Sequence, residues 1–141
     1  MSEQEIIEGN KLIAEFMGWT CSTRISYNDN RKVLYKPNGT IFKYGKLTYL
    51  HNKNPWDAPL KFHSSWDWLM PVVEKITTKD NYSVNIHYGT GATDSFAWCT
   101  FYNSGEQITS DDINTDEQNL ITAIWKSVID FIKWYNKRIK K

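Results

Sequence analysis

Cysteine, histidine and proline are scarce in this chain, with two Cys, three His and four Pro among 141 residues. Cys21 and Cys99 lie far apart, so there is no CxxC pair for zinc and no dense disulfide framework. Both read as buried thiols, because free cysteine behaves as a small apolar residue. His51, His63 and His87 show no HExxH or HxH spacing, so only the fold can assemble a metal site, and neither metal nor cofactor is expected. No run of 18 uncharged apolar residues exists, and the N-terminal Met-Ser-Glu-Gln-Glu is acidic where a signal peptide is basic and then apolar. The reading is a cytoplasmic chain without a membrane span.

Catalytic patterns are also missing. No GxSxG elbow holds a serine, and Cys99, inside an alternating strand pattern, lacks the helix N-terminus that would activate it. Outward-facing His87 beside Asn85 has the chemistry of an acid–base pair, yet a lone surface histidine is usually only that. Gly89-Thr90-Gly91-Ala92-Thr93-Asp94 lacks the Gly-Lys-Ser/Thr ending of a phosphate loop and joins two strands, so it reads as a hairpin turn. A non-enzymatic protein is expected, with a small hydrolase-type enzyme as an alternative.

Aromatic residues, by contrast, are abundant: seven Trp, eight Tyr and six Phe. With 40% hydrophobic and 23% charged residues, the chain has a globular composition and the length of one domain, residues 1–141. Net charge is only +1, but the signs are segregated. Bases gather between Arg31 and Lys61, acids between Asp80 and Glu117, and the tail is basic again from Lys133. Such a bipolar pattern suits solvated loops and helix ends, and it can also steer a partner or favour a homo-oligomer.

Hydrophobic periodicity orders the elements. Ser2 and Glu5 form a capping box, Ile6, Ile13, Phe16 and Met17 share one helical face, and Gly18 ends a helix over 3–17 that Gly9 interrupts. From 22 to 53 the reading is β. A hairpin turns at Lys36-Pro37-Asn38-Gly39 between 33–35 and 40–42, residues 46–50 form a third strand or continue the second, and a loop covers 52–61. A second helix spans 66–76, with Ser64 or Ser65 as N-cap and a stripe of Trp66, Leu69, Met70, Val73 and Ile76. Pro71 requires that helix to bend near Asp67 or to start later.

Two alternating strands follow, over 84–88 and 96–102, and the second is apolar on both faces, as a covered central strand would be. The last helix begins with a Thr115/Gln118 capping box and carries Leu120, Ile124, Val128, Ile132, Tyr135 and Ile139 on one stripe. The expected fold class is α+β: a single-domain α-β-α layered sandwich of order α-β-β-α-β-β-α with a mainly antiparallel sheet.

Two segments hold the candidate site residues. His63, Ser64, Trp66, Asp67 and Trp68 bring an imidazole, a hydroxyl, a carboxylate and two indoles to a helix start. Free N–H groups there favour anions, and indoles stack. Ordinary capping and core packing use the same residue types. The second segment is basic and aromatic: Arg31, Lys32, Lys36, Lys43 and Lys46 interleave with Tyr35, Phe42, Tyr44 and Tyr49, the raw material of a weak single-stranded nucleic-acid groove.

Three strings, NKLIAEFMGW (10–19), HSSWDWLMPVVEKI (63–76) and VIDFIKWYN (128–136), resemble the phage ABA sandwich domain family, small proteins of bacteriophages and prophage-bearing gut bacteria. They cover 33 of the 141 residues, and the middle string is the most distinctive. The resemblance implies an α-β-α layered fold and the cytoplasm of a bacterial host, and it carries no established activity. Taken with the aromatic surplus, it leads to the expectation of a phage accessory protein that binds a host protein or a small anionic ligand such as a nucleotide. In that reading Trp66 and Trp68 anchor the partner, and Asp67 and His63 orient it.

Overall fold

A computed structural model describes residues 2–26, 29–40, 42, 60–79, 81–90, 95–109 and 119–139. The fold is α+β, with three helices and antiparallel sheets among the described residues. In chain order the elements are α1 (Glu3–Met17), β1 (Thr20–Ser26), β2 (Asp29–Tyr35), α2 (Trp66–Thr77), β3 (Tyr82–Thr90), β4 (Ser95–Asn103), β5 (Glu106–Gln107) and α3 (Leu120–Ile139). Among the described residues the strands form a two-stranded sheet, β1-β2, and a three-stranded sheet, β3-β4-β5. The chain divides into two compact units, Met1–Leu60 and Lys61–Lys141. No helix among the described residues is long and apolar enough to cross a membrane.

In the first unit, local signals place the elements. The Ser2 side chain caps α1 by accepting from Glu5 N at 3.1 Å, and the same hydroxyl donates to the Glu5 carboxylate at 3.2 Å. At the other end Gly18 takes φ +98°, a left-handed cap that side chains resist. The buried arc differs from the expected one: Gly9, Asn10, Ile13 and Ala14 are sealed, while Ile6, Phe16 and Met17 are half-buried. An amide belongs to that arc because Asn10 Nδ2 donates to Leu60 O at 3.0 Å, satisfying a buried donor.

β1 and β2 pair from Thr20↔Tyr35 to Ser26↔Asp29, so β1 begins two residues earlier than expected. The Lys36 to Gly39 turn forms as read: Gly39 N donates to Lys36 O at 2.9 Å, and Gly39 holds φ +87°. Asn38 Oδ1 accepts from Thr40 N at 3.0 Å, a local bond that favours asparagine in turns. Past the turn, Lys36 N donates to Thr40 O and Phe42 N to Leu34 O, and the Phe42 ring sits edge-on to Trp19 at 5.3 Å. The expected strand over 46–50 and loop over 52–59 lie outside the described residues.

The second unit is built on β4. Ala97, Cys99 and Phe101 are fully buried and Thr100 is 1% exposed, so both faces of the strand are covered in its second half. α3 packs against β4, and α2 packs against β3 and α3. Phe131 is the hub on α3. Its ring lies 5.3 Å from Phe101, 5.1 Å from Tyr82 and 5.8 Å from Trp134, and it stacks on Tyr135 at 6.0 Å. Cations close the outside of the cluster, Lys79 Nζ over Tyr135 at 5.1 Å and Arg138 over Trp134 at 5.3 Å.

Several ends of elements differ from the sequence reading. Asn119 caps α3, with Oδ1 accepting from Ile121 N at 3.1 Å and its carbonyl from Ala123 N at 3.0 Å; Thr115 and Gln118 lie outside the described residues. Ile139, expected in the stripe, is 58% exposed at the helix end. A short strand not expected from sequence, β5, follows a two-residue turn in which Ser104 (φ 51°) and Gly105 (φ 89°) are both left-handed, the geometry that suits strand twist. The β3–β4 ladder runs from Tyr82↔Asn103 to Thr90↔Ser95, and residues 91–94 between them lie outside the described residues.

Candidate functional site

A tight turn leads into α2. Ser64 N and Ser65 N both donate to Lys61 O, at 3.1 and 2.9 Å, and Ser65 O then accepts from Trp68 N and Leu69 N. Ser65 is thus the N-cap through its backbone alone, extended at φ −128° and ψ 125°, with no hydrogen bond from its side chain to the helix. Ser64 is exposed and does not cap. The one acidic residue of the first turn, Asp67, is exposed at the positive end of the helix, where a carboxylate is favoured.

Pro71 is tolerated within α2 because it faces water. It removes the N–H that Asp67 O would accept, but both residues are exposed, so solvent can take that role. The buried arc is Leu69, Val72, Val73 and Ile76. Trp66 and Met70, expected in that stripe, are instead 44% and 39% exposed. They stand one turn apart on the line that continues to exposed Glu74, with Asp67 and Pro71 beside them.

The five candidate residues therefore split. Trp66, Asp67 and Ser64 face solvent. Trp68 is half-buried, edge-on to buried Phe62 at 5.1 Å, and His63 is half-buried with its ring edge-on to Trp125 at 6.4 Å. Burial holds the His63 imidazole below its ordinary pKa. His63 and Trp68 fix the turn onto the unit, while Trp66, Asp67 and Met70 form the presented surface. Met70 is the residue the sequence reading assigned to the core. Its spacing to Glu74 was the available signal.

The basic segment is divided as well. Arg31 and Lys32 lie on β2, opposite Arg24 and Thr23 respectively, and Lys36 is exposed at the hairpin turn. Lys43 and Lys46 lie outside the described residues.

Polar chemistry inside the second unit gathers elsewhere. Buried Ser127 donates to Thr109 Oγ1 at 3.1 Å, and Thr109 Oγ1 accepts from Phe101 N at 2.9 Å. Burial pushes the Cys99 thiol up to about 12, an effect that its hydrogen bond with Ser127 partly offsets. A thiol held protonated is not a nucleophile. Cys21, also expected to be buried, is half-buried. No group of three or more His, Cys, Asp and Glu gathers among the described residues.

Cys99 gives a pH dependence of known sign. Its folded pKa is above the unfolded value of about 8.5. The unfolded chain therefore releases this proton first as pH rises, and the stability Cys99 contributes is complete below about pH 8.5 and is lost toward pH 12. Urea unfolding midpoints measured at pH 8 and pH 10 should fall with pH, and less in Cys99→Ala. An equal fall in both proteins would remove Cys99 as the cause.

Comparison with protein-family models, with curated proteins and with solved structures finds no match to this chain.

Proposed function

We propose that this protein is a phage or prophage accessory protein that works in the cytoplasm of a bacterial host by capturing a host protein on the outer face of α2. The observation that carries the reading is Trp66, a large indole left 44% exposed. Tryptophan is the residue type most enriched at interface hot spots, and Met70 adds an adaptable apolar neighbour. Asp67 supplies a carboxylate to orient the partner. The three strings that resemble the phage family support the biological setting, and the middle one contains this face.

A small anionic ligand such as a nucleotide is the second reading, favoured by a helix start whose N-cap side chain makes no hydrogen bond to it. Affinity capture from bacterial lysate, with mass spectrometry of both proteins and co-purifying small molecules, separates the two. The expected result is a host protein retained by the wild type and lost with Trp66→Ala. Retention of the same protein by both would remove Trp66 as the anchor.

A further inference from the structure

We propose that β3 is a self-association edge, across which two copies of the chain pair antiparallel about Ile86. Among the described residues β3 is the rim of the sheet β3-β4-β5, so its second row of backbone N–H and C=O groups points away from β4. Natural sheets guard such rims with charge, proline, bulges or brevity. β3 uses none of these. Its nine residues, YSVNIHYGT, contain no Lys, Arg, Asp, Glu or Pro, and they pair with β4 without a break in register. The other rim strands among the described residues differ: β1 carries Arg24, and β5 is two residues long and carries Glu106.

Exposure agrees with an open edge. Asn85, Ile86 and His87 are all exposed although successive residues of a strand point to opposite faces, so both faces of β3 reach solvent at its midpoint. Directly across the ladder, Cys99 and Thr100 on β4 are buried. Ile86, a large apolar side chain, is 39% exposed.

The sequence of β3 is also its own complement. A two-fold axis at Ile86 sets Ile86 against Ile86, Asn85 against His87, Val84 against Tyr88 and Ser83 against Gly89 of the second copy. No like charges meet, the apolar residue gains an apolar partner, and each amide faces an imidazole. A net charge of +1 adds little repulsion between copies. The interface is isologous, as closed dimers require, and a single strand pair makes it weak and concentration-dependent.

Light scattering coupled to size exclusion tests this over a range of loading concentrations. The expected result is a mass rising from 16.6 kDa toward twice that value in the wild type, with Ile86→Lys staying at the monomer mass. Geometry is read separately by Ile86→Cys in a Cys21→Ser background under a mild oxidant. Residues opposite one another across an antiparallel pair stand roughly 4.5–5.5 Å apart at Cα, within disulfide reach. A disulfide-linked dimer is therefore expected from that variant, and none from Glu106→Cys on the opposite rim. A wild type that stays monomeric at every concentration overturns the proposal, even if an extended peptide of another protein occupies β3. A dimer that survives Ile86→Lys and yields no Ile86→Cys disulfide places the interface elsewhere and overturns it equally.

Discussion

Replacing Phe131 by Ala is expected to cost about 3–5 kcal/mol of stability, the range for removing a buried phenylalanine ring. Phe131 is 1% exposed and touches rings from three elements: Phe101 on β4, Tyr82 at the start of β3, and Trp134 and Tyr135 on its own helix. Its loss opens a cavity that none of those neighbours can fill without leaving the others. A small domain holds only about 5–15 kcal/mol in total, so the variant should be close to unfolded at physiological temperature. Urea denaturation at low temperature measures it: the midpoint should drop sharply with the slope unchanged. A drop comparable to that of a surface substitution would mean that the cluster is not the core of this unit.

The second large effect is polar. Thr109→Val keeps the shape of the side chain but removes the oxygen that accepts from both Phe101 N and Ser127 Oγ. Two buried donors are then left with no acceptor at Thr109, and each such loss costs about 1–3 kcal/mol. The substitution should therefore destabilise the protein more than Cys99→Ala, which removes one weak thiol bond. The pairing of Thr109→Val with Ser127→Ala should be strongly non-additive, since the double variant leaves one fewer orphaned group. A Thr109→Val protein as stable as the wild type would show that water or a rotated hydroxyl satisfies these donors.

The parts legible in the sequence were those whose physics is local. The Ser2 N-cap, the left-handed Gly18 and the Pro37-Asn38-Gly39 turn each fix their geometry within a few residues, and each forms as read. Alternation along β4 likewise foretold a strand covered on both faces. Ser104-Gly105 is a turn signal, but the strand it leads into, β5, is only two residues long and has no periodicity of its own.

Less legible was anything that depends on which neighbour an apolar or polar residue meets. Asn10 enters the buried arc of α1 because a carbonyl 50 positions away accepts from it, and Thr109 meets Ser127 across 18 positions. Trp66 and Met70 fit an apolar stripe by periodicity. However, the buried arc of α2 is centred on Leu69, Val72, Val73 and Ile76, and Glu74 marks the side left to water. Of the two indoles expected to act together, packing on Phe62 assigns Trp68 to the body of the unit and leaves Trp66 outside.

The unfolding midpoint of Trp66→Ala tests most directly whether that exposed indole is kept for a partner. The expected result is a midpoint shift equivalent to no more than about 0.5 kcal/mol of unfolding free energy, the range for surface substitutions, alongside the loss of host-protein capture. A loss of several kcal/mol would contradict it, because Trp66 would then be serving the fold.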